Sequence, residues 1–330
     1  MRSDRDMKPA LKIIAPGVHT TVQGARRIGY QDVGVPGSGP LDRVSFRLAN
    51  ALVGNAHDTA ALEPLLHGPT CEVLADAVRV ALVGCGACIE VRSSSARVVP
   101  AGQSVRLTRG EVFRIGPLGD SACAYLAFEG GLDVPPVLGS VSTYVRGAIG
   151  GFEGRHLQKG DVVPLRLAGA EVRAESALPR ALDLGVEQPV RVVLGPQADY
   201  FTDEAIKTFL SSVYTVSPRS DRMGFRLEGP PLKHAKGYNI VSDGVMPGSI
   251  QVPGSGQPII LMADHQTTGG YPKIATVVSA DLPLVGRRRP GRPIRFVTVE
   301  VHQAERLRRE QEAAIRRQID ALRPMAHAAP

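Results

Sequence analysis

Short apolar or alternating runs, each closed by glycine, proline or a polar turn residue, recur along most of the chain. Residues 79–83, 88–92, 104–107, 112–115 and 123–128 read as strands in the first half. Residues 190–194, 240–241, 259–262 and 294–299 do so in the second. Their β-branched content and flanking glycines favour extended backbone over helix. Few segments carry a 3.6-residue period. Over 42–53, Val44, Leu48, Ala49 and Leu52 share one face and Asp42 is placed to cap the first turn. Over 202–211, Thr202 is the cap, and Asp203 and Glu204 complement the helix dipole. The polar stretch 300–323 predicts a docked or solvated helix, with Leu307, Ala314, Ile315 and Leu322 near one stripe. Closely spaced strands with few helices indicate a barrel or sandwich architecture with helical additions.

Composition sharpens this picture. The 330 residues include 36 Gly and 26 Pro and no Trp, as expected of a chain that turns often between short segments. The aperiodic stretch 167–188 predicts a linker. It sets a β-rich domain over 12–175, a second domain over 188–300, and a helix and tail over 301–330.

The net charge of +7 raises the question of an anionic partner. The excess gathers at the N-terminus (Arg2, Arg5, Lys8, Lys12), in Arg287, Arg288, Arg289, Arg292 and Arg295, and beyond residue 302. The rest is close to neutral. A basic face interleaved with aromatics is missing, so nucleic-acid binding is not expected. The arginine run reads instead as a docking surface or solvated region. No run approaches the roughly 18 apolar residues of a membrane span, and the charged N-terminus lacks the apolar core of an export signal. Cys85-Gly86-Ala87-Cys88 has C-x-x-C spacing, but Cys71 and Cys123 form no second pair, so buried core or turn cysteines are expected rather than a metal site. These features predict a cytoplasmic protein.

Candidate chemistry is densest at 242–274. After the apolar run 258–262 come Asp264, His265, Gln266, Thr267, Thr268, Gly269, Gly270, Tyr271 and Lys273, with Gln251 upstream. Polar side chains at the end of a rigid strand are a common site geometry. A polar hairpin loop with capping Thr and Asp would look the same. At 217–227, Asp221 and Arg222 stand beside Met223-Gly224; Arg222 suits carboxylate recognition, or the pair simply fixes a turn. Gly37-Ser38-Gly39, within 34–42, reads as a tight turn leading into the helix capped by Asp42. A further glycine-rich polar loop at 139–155 carries Ser142 and Tyr144. No nucleophile elbow, Walker loop or paired histidines are present.

Taken in order, these stretches resemble the allophanate hydrolase subunit 2 family, also called the biotin-dependent carboxyltransferase subunit or 5-oxoprolinase C-subunit family. The matching residues begin with Thr20-Thr21-Val22-Gln23, Gly34-Val35-Pro36, Ser38-Gly39-Pro40-Leu41-Asp42 and Leu62-Glu63. They continue with Ser142-Thr143-Tyr144, Gly150-Gly151, Leu194-Gly195-Pro196-Gln197 and Ser220-Asp221-Arg222-Met223-Gly224. They close with Ser242-Asp243-Gly244, Gly248 to Pro253, and Ala263-Asp264-His265-Gln266-Thr267-Thr268-Gly269-Gly270-Tyr271-Pro272. The resemblance implies a mainly β protein with a cyclophilin-like β-barrel, a β-rich N-terminal domain and few helices.

It also implies a subunit 1 type partner. Because the chain reads as a lone subunit, ATP-dependent opening of 5-oxoproline to glutamate with a lactam-hydrolase partner is the first expectation. The carboxyltransferase part of a biotin-dependent urea or amide carboxylase, and a non-catalytic regulator of a histidine kinase inhibitor, are the alternatives. ATP or carboxybiotin would arrive through partner subunits, with no covalent cofactor or metal on this chain. Amide chemistry needs a base, donors for a carbonyl oxygen, and a cation for a carboxylate. Asp264 or Asp221 is the expected base, with Lys273 as the third catalytic candidate. Arg222, Gln251, Gln266, Thr267, Thr268, Gly269, Tyr271, Ser142 and Tyr144 are the expected substrate-binding residues. The chain departs from the family pattern at Gly24-Ala25-Arg26-Arg27, where Asp-x-Gly-Arg is usual, and at Gly286, where Gln is common. The changes at Gly24 and Arg26 bear on substrate choice and on activity itself.

Overall fold

The computed structural model describes residues 8–93 and 96–325. Arg2, Arg5 and the rest of the N-terminal segment before Lys8 lie outside them, as does His327. The chain divides into two compact units. One comprises residues 1–26, 42–184 and 315–330; the other comprises 27–41 and 185–314. The segment 27–41 thus joins the second unit although it precedes the first helix in sequence.

The first unit holds two antiparallel sheets. One runs Val162–Pro164, Ala10–Ala15, Thr70–Val73, Val112–Ile115, Cys88–Arg92, Arg97–Pro100. The other runs Thr21–Gln23, Ala61–Glu63, Tyr125–Phe128, Ala77–Val83, Ser104–Thr108. Leu11, Ile13, Leu62, Val80, Leu82, Phe113, Ile115, Leu126 and Phe128 form their common apolar core. Ala77–Val83 is buried at every position, which explains its continuous rather than alternating apolar pattern. Helix Arg43–Leu52 is capped as expected, with Asp42 Oδ1 accepting from the Val44 and Ser45 amides. The Tyr125 hydroxyl donates to Glu63 Oε2 at 2.5 Å and accepts from the Asp42 amide at 2.8 Å.

The expected linker is held in place by a buried cation. Arg79 is fully buried and pairs with Glu129 (2.5 Å) and Glu175 (2.9 Å). Its remaining donors reach the carbonyls of Glu171 and Arg173. Ser176–Ala177 then pairs with Arg323–Pro324.

The second unit is built on an eight-stranded sheet. Its order is Pro293–Ile294, Tyr214–Val216, Gly224–Glu228, Ile259–Leu261, Ser249–Gln251, Lys273–Val277, Val190–Leu194, Phe296–Thr298. The two edge strands are separated only by Arg295, so a single stretch of chain pairs with Tyr214–Val216 on one side and, in parallel, with Val190–Leu194 on the other. The sheet is thereby a nearly closed barrel, and Ile294 and Phe296, two residues apart, both point into its core. This agrees with the mainly β, barrel-containing fold implied by the resemblance. Helix Asp203–Ser211 is capped by the Thr202 hydroxyl and contributes Phe209, which stacks on Phe296.

Two expectations are corrected. Residues 240–241 are not a strand: Val241 is exposed and the local pairing falls on Asp243–Gly244 with Thr268–Gly269. Glycine and proline density around a short apolar pair left that register undetermined in the sequence. The arginine run is not uniformly a surface. Gly286 and Arg287 end the helix Leu282–Arg287, both Arg287 and Arg288 are buried, and Arg288 donates to the carbonyls of Pro293 and Gln188. Burial lowers the Arg288 pKa. The polar C-terminal stretch does form the helix Val301–Asp320, with Ile315 of the stripe buried and Leu307 and Ala314 half-buried.

Among the described residues, no helix is long and apolar enough to cross a membrane, and no three His, Cys, Asp or Glu side chains converge as a metal site requires. Cys71, Cys85 and Cys123 are buried thiols. Burial pushes the Cys71 and Cys85 thiols up to about 12.

Candidate functional site

In the second unit, strand Ile259–Leu261 delivers the polar loop at 263–270, and strand Gly224–Glu228 beside it is preceded by Arg222. The backbone continues the pairing past the strand ends: Met262 N–H donates to Met223 O (2.9 Å), and Asp264 N–H to Arg222 O (2.8 Å). This register brings the two side chains together. Arg222 Nε and Nη2 reach Asp264 Oδ2 and Oδ1 at 2.8 and 3.1 Å, and both side chains are buried. Arg222 Nη2 also donates to Gly39 O at 2.7 Å. Arg27 binds the same loop, from its amide to Gly37 O (2.7 Å) and from Nη1 to Pro36 O (3.4 Å). Burial lowers the Arg27 pKa, and the charge of Asp264 opposes that.

A second cluster lies around Lys273. Its strand, Lys273–Val277, pairs with Ser249–Gln251 across a register shift at Ile250/Gln251. The ammonium is almost wholly buried and binds Asp243 Oδ2 at 2.6 Å, with Gly244 O at 3.5 Å. The hydrogen bond from Lys273 holds the Asp243 carboxyl below the usual carboxylate range. Lys273 N–H donates to Gln197 Oε1 at 3.3 Å. Gln251 accepts from Gln266 Nε2 (3.1 Å) and donates to Tyr271 O (3.4 Å). A Cβ at Gly269 would lie 2.3 Å from Gln251 Nε2, so only glycine leaves the amide where it is. Thr267 and Gly270 carbonyls accept from Val245 and Ile240 amides, fastening the loop to residues 240–245.

The structure therefore gathers Gln251, Gln266, Thr268, Gly269, Tyr271 and Lys273 about one hairpin, and Arg222 with Asp264 on the neighbouring strand ends. Asp221 precedes Arg222 directly in the chain. It shapes its own turn, accepting from the Met223 and Gly224 amides. Ser142 and Tyr144 belong to the first unit. Ser142 Oγ accepts from Gly24 N–H (3.0 Å) and donates to the Gly24 and Ala25 carbonyls, while Tyr144 exchanges backbone bonds with Ile149. A Cβ at Gly24 would stand 2.4 Å from Val141 Cγ2, so the aspartate usual in the family does not fit this backbone unchanged.

Asp243, Gln197, Ser38 and Arg27 lie in stretches compared with the family pattern above, but nothing in the sequence gives them a role in the site. Asp243 stands in the matched run Ser242-Asp243-Gly244, and nothing local shows that it meets a lysine thirty positions on. Ser38 carried a weak signal, a serine between two glycines.

This geometry sits in a recognisable class. Residues 33–298 match the family described as carboxyltransferase domain, subdomain A and B, and the chain belongs to that family. It is 38% identical to the 5-oxoprolinase C-subunit of Escherichia coli over 92% of this chain and 95% of that protein. It is 35% identical to the urea amidolyase of Saccharomyces cerevisiae over 93% of this chain but only 18% of the yeast protein. In fold it is similar to the crystal structure of the K. lactis urea amidolyase, with a TM-score of 0.84 and 33% identity, over 94% of this chain and 20% of that one.

Proposed function

We propose that the chain is a subunit of an ATP-dependent amide- or lactam-processing complex, most closely of the 5-oxoprolinase type that opens 5-oxoproline to glutamate. The observation that carries this reading is the match to a 5-oxoprolinase C-subunit along almost the whole of that protein.

The site supports it chemically. Opening a lactam adds water across the C–N bond, and charge develops on the carbonyl oxygen. Preorganised donors at that oxygen lower the barrier. In this reading Gln251 and Gln266, which form one amide pair, would supply those donors, and Lys273 a buried cation. Asp264, held by two Arg222 donors, serves to fix the loop that presents Gln266. ATP is consumed on a partner, and the subunit 1 type protein and a lactam-hydrolase chain would complete the complex. The protein acts in the cytoplasm in this reading.

A carboxyltransferase role, moving CO₂ from carboxybiotin to an amide nitrogen, is the second reading, favoured by the likeness to urea amidolyases. The test is co-expression with the candidate partner chains and an assay of ADP release. Stimulation by 5-oxoproline with stoichiometric glutamate is expected. Stimulation by urea alone, with a biotin carboxylase present, would replace the first reading with the second.

A further inference from the structure

The turn Gly37-Ser38-Gly39, within the second unit, is more than a route into the first helix. Three carbonyls of this loop are already engaged. Pro36 O and Gly37 O accept from Arg27, and Gly39 O accepts from Arg222. Ser38 itself is 1% exposed, and its hydroxyl has no hydrogen-bond partner among the described residues. A buried hydroxyl is almost always bonded, and leaving one bare is destabilising. Ser38 is also held at φ 52°, a left-handed conformation that glycine or asparagine adopts with less strain. Serine at this position is thus poor for stability on two independent counts. Both make sense if the hydroxyl serves a ligand.

The surrounding charge says which kind. The guanidinium groups of Arg27 and Arg222 both donate to this turn, one from each side of Ser38. Asp264 answers the charge of Arg222, and a hydroxyl in a turn bound by two arginines still gains most by giving its own proton to an oxygen that bears negative charge.

We propose that Ser38 is a substrate-binding residue whose hydroxyl donates to the carboxylate of a small lactam or amide acid, with Arg27 and Arg222 supplying the favourable field. The ligand class rests on the proposed function; the placement of the hydroxyl does not. Ser38 recognises the carboxylate, whereas the Lys273 and Gln251 cluster handles the reacting amide.

The test uses the full chain as wild type, Ser38→Ala and Ser38→Gly. The glycine variant removes the hydroxyl and relaxes the backbone, so it guards against misfolding. Calorimetric titrations use 5-oxoproline, acetate and 2-pyrrolidinone, which lacks the carboxylate. KM and kcat for 5-oxoproline are measured in the reconstituted complex. Both variants should bind 5-oxoproline about tenfold more weakly, the loss of one hydrogen bond to a charged group. KM should rise alike with kcat held, 2-pyrrolidinone should bind all three forms equally, and the thermal midpoint of Ser38→Gly should not fall. Equal carboxylate affinity in all three forms would overturn the proposal, as would an equal loss for 2-pyrrolidinone or no carboxylate binding by the wild type. If the complex fails to turn over 5-oxoproline while carboxylate binding still depends on Ser38, the proposed function falls and this assignment stands. If turnover occurs with KM unmoved by either variant, the reverse holds.

Discussion

Lys273 and Asp243 meet at 2.6 Å, the ammonium side chain 5% exposed and the carboxylate side chain 52% exposed. That asymmetry predicts unequal consequences for the two halves of the pair. Removing the ammonium leaves a carboxylate that water can solvate. Removing the carboxylate leaves a buried cation without its counter-charge. Asp243→Asn should therefore lower the melting temperature more than Lys273→Met does, while Lys273→Met should cost at least tenfold in turnover. Thermal scans and steady-state assays of both variants in the complex check this.

Arg222 and Asp264 differ in that both members are buried. Asp264→Asn or Arg222→Ala should destabilise by about 3–5 kcal/mol, the usual result of orphaning one buried charge. Arg222→Lys keeps the charge but cannot span Asp264 and Gly39 O together, so it should lie between the wild type and Ala. Denaturant titrations give the order.

Gly269→Ala separates packing from function. The new methyl would meet Gln251 Nε2, the far end of a flexible side chain, rather than backbone. The amide should swing aside with little loss of stability, whereas the donor geometry at Gln251 and Gln266 should be lost. Turnover falling tenfold or more with an unchanged melting temperature is the expected result.

Asp161 provides a pH signature in the first unit. Arg155 holds it with bonds of 2.8 and 3.0 Å, and the Gln158 amide adds a third at 2.7 Å. These bonds, led by the one from Arg155, lower its pKa. A lowered folded-state pKa means that the unfolded chain binds the proton first as the medium is acidified. The stabilisation is therefore complete above the ordinary carboxylate pKa and is lost as pH falls through the lower folded value. Asp161→Asn should cost about 1 kcal/mol at neutral pH, and the gap should close on acidification. Denaturant titrations of both forms across the acid range check this.

Arg79 predicts where the chain opens. It bonds two carboxylates and two carbonyls at once, and three of those four partners lie within 171–175. Arg79→Met should expose that stretch to proteases that leave the wild type uncut, which timed proteolysis with mass spectrometry would reveal.

Local signals were legible in the sequence wherever one short segment carried its own physics. Asp42 and Thr202 cap the helices expected of them, because a cap is a contact over two or three residues. Strands Cys88–Arg92, Val112–Ile115 and Val190–Leu194 fall where β-branched runs are bounded by turns. Three-residue strands such as Ala61–Glu63 and Ser249–Gln251 are too brief to show a period. In the candidate site the polar loop and Arg222 are marked by their residue types, whereas the Asp243 carboxylate that meets Lys273 and the Gly39 carbonyl that meets Arg222 come from other segments. Ser38 shows the limit most clearly, since an unsatisfied hydroxyl is a property of burial, which no local pattern records.

The stretch 293–298 has a consequence for how the molecule is made. Because Ile294 and Phe296 stitch the two sides of the barrel to each other, sealing waits until Tyr214 and Val190 have both found partners far along the chain. Contacts so distant in sequence form late. Until then two strand edges with free backbone groups face the medium, the condition under which chains join edge to edge. Aggregation during refolding should thus be governed by this six-residue clasp, and strengthening it should raise soluble yield without touching the site.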